Sequence, residues 1–270
     1  MQQQQPYKLG WFSTGRGEGS RNLLRSTVNS IIKGDLKTDI SFVFCNRVLG
    51  EHEGSDEFMK LANNYNIPVI CVSSNKYKQG NSGDWRTQFE TEVMHKLDLY
   101  QFDLGVLAGY MLVIGKDMCT KYPMINLHPA APGGPVGTWQ EVIWQLIETK
   151  AKETGAMMHL VTPILDGGPT VSYCKFSIRG KPFDKHCDEI KKLPLYEIQK
   201  HEGERNPLFT EIRRHGAARE IPLIISTIKA FSEGKIKIEN GSVIDSKGKP
   251  IKGYDLTKEI EKRVKAAVSD

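Results

Sequence analysis

Residues 104–110 read Leu-Gly-Val-Leu-Ala-Gly-Tyr, an apolar run with no polar alternation. A strand of this kind must be covered on both faces, as the central strand of a parallel sheet is. Parallel strands in turn need long crossovers, normally helices. The flanking sequence supplies them. Leu9–Ser13, Asp39–Cys45 and Ile67–Val72 are β-rich runs. A helix is expected after the first, through about Lys33, and another from Asp56 to Asn66 with Phe58, Leu61 and Ala62 on one side. A polar loop, Ser73–Gly83, then precedes a long helix from Asp84 to about Tyr100, in which Phe89, Val93 and Leu97 recur every four residues. This alternation predicts an α/β fold with a doubly wound, mostly parallel sheet.

Further along, Thr138–Lys150 reads as a helix with Val142, Leu146 and Ile147 inward. Gly155–Val161 and Pro169–Phe176 read as strands flanking the loop Leu165-Asp166-Gly167-Gly168-Pro169. Residues 181–204 are rich in Lys, Glu and Asp with weak periodicity, as expected of a solvated helical insertion. Residues 207–233 are helical in pattern, with Pro222 opening a second helix. A hairpin across Glu239-Asn240-Gly241 and an amphipathic helix carrying Leu256, Ile260, Val264 and Ala267/Val268 close the chain. The expected organisation is a main domain over 1–240, with the insertion at about 181–204, and a C-terminal extension over 241–270.

Composition narrows the function classes. The formal charge of +5 is small for 270 residues, and acidic residues interrupt every basic cluster. That argues against nucleic acid as a partner and suits a small anionic substrate. No apolar run is long enough to span a bilayer, and the glutamine-rich start lacks the regions of a signal peptide. Five scattered cysteines without a CxxC pair point to a reduced, cytoplasmic compartment. A homodimer is left open.

The chemistry-bearing stretch is Met124–Gly137. In a strand Asn126 and His128 project to one face, and a Pro/Gly-rich loop follows at once. The Asp166 loop could deliver a carboxylate beside them. Upstream, Thr14–Asn22 places three glycines between a strand and a helix start, where free N–H groups converge. Its spacing is GxGxG rather than GxGxxG, and Cys45-Asn46-Arg47 stands where a dinucleotide site needs an acid, so that fingerprint fails. A phosphate monoester site and a plain tight turn both remain. His159 reads as a packed histidine bonded near the site; His52, His95, His186, His201 and His215 read as surface residues. Zinc ligation by His128, His159 and Asp166 lacks supporting spacing, so no metal is expected.

Taken together, the strand and turn at 9–24, Leu107-Ala-Gly-Tyr-Met111, Asn126-Leu-His128-Pro129 and His159-Leu-Val-Thr-Pro-Ile-Leu-Asp166-Gly-Gly-Pro169 resemble the formyltransferase family over residues 8–178, with a weaker echo from Ile221 to Ile238. The resemblance implies a Rossmann-like sheet and transfer of a formyl group from 10-formyltetrahydrofolate, as co-substrate, to an amine. Phosphoribosylglycinamide, in purine biosynthesis, is the leading acceptor. An oxyanion intermediate would be stabilised by Asn126 and His128, with Asp166 assisting proton transfer. The resemblance further implies phosphate binding by Gly19, Ser20, Arg21 and Asn22, and substrate contacts from Arg86 and Glu220. It implies a folate pocket of Met111, Leu112, Val113, Ile114, Val161, Thr162 and Leu165. Arg213 and Arg214 read as a solvated helix face that a folate glutamate tail could attract.

Three departures bear on the acceptor: Leu112 where relatives carry arginine, the Ala130–Pro135 loop, and Ala217 at a position expected to be acidic. Competing expectations are another amine such as an amino sugar nucleotide, hydrolysis of the formyl donor, and a non-catalytic folate- or nucleotide-binding protein. A deformylase would carry an N-terminal regulatory domain, and a methionyl-tRNA formyltransferase a sizeable basic C-terminal domain.

Overall fold

The computed structural model describes residues 5–80, 83–190 and 194–269, with side chains described as far as Lys265. The glutamine-rich start through Gln4, residues 81–82 of the expected loop, 191–193 of the expected insertion and the side chains of Ala267 and Val268 lie outside the described residues. The chain forms two compact units. The first comprises Met1–Leu127, His159–Pro169 and Ile228–Pro250; the second comprises His128–Met158, Thr170–Thr227 and Ile251–Asp270.

In chain order the first unit begins with β1 (Tyr7–Ser13), α1 (Glu18–Ile32), β2 (Thr38–Cys45), α2 (Glu53–Asn64) and β3 (Val69–Cys71). There follow α3 (Ser74–Gly80), α4 (Trp85–Leu97), β4 (Leu104–Leu107), α5 (Lys116–Lys121) and β5 (Met124–His128). The strands run β5-β4-β1-β2-β3, all parallel. The chain winds outward from β1 to β3, then returns to lay β4 on the other side of β1. The switch point of the sheet therefore lies between β1 and β4, and open α/β sheets bind ligands at such carboxyl ends. The winding is set by the buried faces expected from periodicity. On α2 Phe58 and Ala62 are buried as expected, with Met59 buried in place of the half-buried Leu61, and on α4 Phe89, Val93 and Leu97 are buried. An aromatic cluster fills the core, with Phe12 5.6 Å from both Phe42 and Phe44 between ring centroids. Burying each such ring contributes roughly 1.5–3 kcal/mol.

The remaining elements are α6 (Trp139–Glu148), β6 (Glu153–Leu160), β7 (Thr170–Ser177), α7 (Phe183–Ile190), α8 (Leu195–His201) and α9 (Pro207–Ser232). The hairpin strands β8 (Ile236–Glu239) and β9 (Ser242–Asp245) come next, then β10 (Tyr254–Asp255) and α10 (Thr257–Ser269). In the second unit, β10 pairs in parallel with β7. Among the described residues no helix is long and apolar enough to cross a membrane.

Four local expectations are corrected. The stretch after β3 forms the helix α3 rather than a loop. The short helix α5 and strand β10 were not expected at all. Helix α9 is continuous through Pro222. A mid-helix proline costs about 3 kcal/mol, and the complete burial of Leu223, Ile224 and Ile228 more than offsets it. Finally, the insertion is helical but not merely solvated: Phe183 and Cys187 enter the second unit's core beside Phe176 and Phe209. The hairpin is as expected, with Asn240 and Gly241 at φ of 50° and 72°.

Candidate active site

At the switch point the β1–α1 turn is held by its neighbours. Thr14 N–H donates to Gly109 O at 3.0 Å. Ser55 Oγ and Cys45 Sγ both donate to Thr14 O, at 2.7 and 3.7 Å. Burial pushes the Cys45 thiol up to about 11, so it acts as a neutral donor. Helix α1 then starts with Gly17 as a cap that offers no side-chain acceptor. Its first N–H groups point out unpaired, the arrangement that attracts an anion.

Gly19, Ser20, Arg21 and Asn22 thus lie in the first helical turn and not in the loop that the sequence suggested. Arg21 is already engaged, with Glu18 at 2.9 Å and Glu57 at 3.1 Å, and Asn22 Oδ1 accepts from Arg25 at 2.5 Å. Arg16, which sequence reasoning passed over, is exposed beside this turn and has no ion-pair partner among the described residues.

On the other side of the switch point, residues 108–115 follow β4. Met111 N–H donates to Thr14 Oγ1 at 2.9 Å, and Gly115 N–H to Glu90 Oε1 at 2.6 Å. Met111 is exposed and Leu112 and Val113 are half-buried, but the Ile114 side chain enters the core. Val161 does the same, so of these two residues only the main chain can face a ligand. Arg86 is exposed on the first turn of α4, its guanidinium 5.3 Å from the Trp85 ring.

The third component is the end of β5 with the loop that leaves β6. Asn126 Nδ2 lies 3.1 Å from His159 Nε2, and Asp166 Oδ1 lies 3.4 Å from the same atom. His159 Nδ1 lies 3.0 Å from Leu160 O. A carbonyl only accepts, so Nδ1 carries a proton. Nε2 is then an acceptor for the Asn126 amide when the ring is neutral, or a donor to Asp166 when the ring is a cation.

His159, expected to be a packed histidine bonded near the site, is buried and lies within reach of both Asn126 and Asp166. Asp166 itself sits at φ 50°, a left-handed conformation that Asp tolerates better than most residues. Its loop is closed by Gly167 N–H to Ile164 O and by Leu160 N–H to Pro169 O. A Cβ at position 168 would overlap Leu160 O, so glycine is required there. Thr162 Oγ donates to Ile164 O, while Ile164 and Leu165 are exposed.

Within the second unit His128 is buried, and its Nε2 lies 2.9 Å from Pro135 O. By the same donor argument Nε2 carries a proton. The unusual 130–135 loop thus ends by fixing the His128 ring. Glu220 is paired with Arg213, whose guanidinium lies 4.7 Å from the Trp139 ring. Arg213 is accordingly not a solvated face; Arg214, on Glu211, is. Two of the remaining histidines are also structural. His52 caps α2 through Gly54 N–H, and His215 packs 4.8 Å from Phe183 between ring centroids, where burial lowers its pKa. Among the described residues no three His, Cys, Asp or Glu side chains are grouped to hold a metal ion.

Residues 17–182, well over half the chain, match the family model described as Formyl transferase. The chain belongs to the formyl transferase family. Among curated relatives, phosphoribosylglycinamide formyltransferase of Escherichia coli is 27% identical over 174 residues, covering 63% of this chain and 69% of the relative. Formyltetrahydrofolate deformylase of Bacillus subtilis is 30% identical over 140 residues, 51% of this chain and 41% of the relative. Among solved structures, phosphoribosylglycinamide formyltransferase from Coxiella burnetii matches with a TM-score of 0.68 at 24% identity, over 93% of this chain and 99% of that one. At that identity the likeness speaks for the fold of this formyl transferase family member.

Proposed function

We propose that this chain transfers the formyl group of 10-formyltetrahydrofolate to the amine of phosphoribosylglycinamide, a step of purine biosynthesis. The amine nitrogen attacks the formyl carbon, the C=O pair moves onto oxygen, and the tetrahedral intermediate collapses with release of N10. One proton leaves the amine and one reaches N10, so no net proton is consumed. In this reading the Asn126 amide and His128 donate to the oxyanion, and Asp166 relays the amine's proton. His159 holds the Asn126 amide and the Asp166 carboxylate in register.

The observation that carries the reading is the meeting of Asn126 and Asp166 at one buried imidazole nitrogen. A polar trio of this kind, placed at a strand end, is costly unless its hydrogen bonds are used. The open turn at Gly17–Ser20, with Arg16 beside it, suits the substrate's phosphate better than Arg21 does. Met111, the 112–114 main chain, Val161, Thr162 and Leu165 suit the pterin. Arg86 and Glu220 remain proposed substrate contacts, Glu220 on condition that Arg213 releases it. We further propose cytoplasmic location, no nucleic-acid or membrane partner, and a functional division into a transferase domain over 1–240 and an extension over 241–270.

The test is purified protein with 10-formyltetrahydrofolate, followed by folate absorbance with and without phosphoribosylglycinamide. Turnover is expected only with the amine. The deformylase relatives motivate a second reading, hydrolysis by water, and amine-independent turnover would establish it in place of the first.

A further inference from the structure

The loop from Gly109 to Gly115 is tied at both ends to buried side chains: Thr14 takes the N–H of Met111, and Glu90 takes that of Gly115. Between these ties, the N–H groups of Leu112 and Val113 make no hydrogen bond among the described residues. Glu90 is only 5% exposed and has no ion-pair partner within 4 Å among the described residues. Burying a carboxylate in this way is expensive, and apolar residues would fill the same site on α4 at lower cost.

Its one main-chain partner, Gly115, lies so close that a Cβ there would overlap the carboxylate. The pairing is therefore built from both sides, an acid that reaches the loop and a glycine that lets it approach. The groups around Glu90 are Asp84 and Arg86 on its own helix, Asp117 and Cys119 on α5, and Tyr110 at the loop's start. Burial dominates over these charges and raises the Glu90 pKa.

We propose that Glu90 is a positioning residue for folate, holding the main chain of 112–114 where it meets the edge of the pterin. This rests on the folate pocket proposed above. Glu90 touches no reacting atom; it acts through the Gly115 N–H and the backbone that leads back to Leu112.

The test compares the wild type with Glu90→Ala and Glu90→Gln. The readouts are KM for 10-formyltetrahydrofolate, KM for the amine, kcat, and hydrogen exchange at 112–115. Losing the acceptor should raise the folate KM about tenfold, the size of one hydrogen bond at about 1.4 kcal/mol. Amine KM and kcat should stay within about twofold, and exchange should quicken only in the loop. Glu90→Gln keeps an acceptor oxygen and should restore the folate KM to within about threefold.

Should Glu90→Ala fail to fold, Gly115→Ala displaces the carboxylate with residue 90 unchanged and must give the same split. An unchanged folate KM in whichever of these folds would overturn the positioning role. A wild type that never saturates with folate would instead sink the pocket reading, and this proposal with it.

Discussion

Two loops of the first unit serve the candidate site by opposite means. The 109–115 loop is anchored from outside by two buried side-chain acceptors, and its central main chain is left unpaired. The 161–169 loop is anchored by its own backbone, through a turn at Ile164–Gly167 and the pairing of Leu160 with Pro169. It presents Asp166 from a left-handed conformation. In the reading proposed above, the first is a platform that offers its main chain to folate; the second is a mount for the Asp166 carboxylate that also lends Val161, Thr162 and Leu165 to the folate pocket. Damage to the platform should therefore appear in folate binding alone, and damage to the mount chiefly in turnover.

The largest effect expected is that of Asp166→Asn. Asn accepts the same backbone conformation, so folding should persist while kcat falls about 10²–10⁴-fold, the range for loss of a proton-transfer group. A folded variant with normal kcat would remove Asp166 from the mechanism. Gly168→Ala comes next. Its Cβ meets the Leu160 carbonyl, so the mount must shift, and small displacements at a reacting centre can cost about 10²-fold. A lowered melting temperature and a kcat loss larger than the accompanying rise in folate KM are the expected pattern, since the new Cβ also lies 3.2 Å from Thr162 of the proposed folate pocket. If the folate KM moves while kcat does not, the loop serves folate alone and not the Asp166 carboxylate.

Thr14→Val keeps the shape but removes the acceptor for Met111 N–H. It should raise the folate KM by about tenfold or less, at about 1 kcal/mol for one lost hydrogen bond, with kcat retained. The smallest effect concerns pH. Burial raises the Glu90 pKa above its ordinary 4.5, so the folded state binds this proton more tightly than the unfolded one. Stability from this group is present below 4.5 and is lost as pH rises through the raised pKa. Glu90→Gln cannot titrate, so its melting temperature should gain on the wild type across that window; a constant difference would contradict the assignment.

The comparison also separates what the sequence could reveal from what it could not. The strand carrying Asn126 and His128 was legible, like the other core strands, because a run of apolar residues has few other uses. Helix α4 was legible through Phe89, Val93 and Leu97, but that same periodicity hides Glu90, which lies beside the apolar stripe and is explained only by a glycine twenty-five residues later. Arg21 looked available although Glu18 pairs with it from three residues away; its second partner, Glu57 on α2, is distant in sequence. His159 looked like packing because its neighbours are apolar, whereas its role depends on where Asn126 and Asp166 arrive. Pro222 was read as a break because the proline penalty is local and the burial that offsets it is not.

The most direct measurement follows the formyl carbon itself. With ¹³C-formyl-labelled 10-formyltetrahydrofolate and phosphoribosylglycinamide, the label should appear on the amine nitrogen, with little formate formed and none of that formation accelerated by the amine. Label accumulating as formate at one rate, whether or not the amine is present, would contradict direct transfer and assign the site to water.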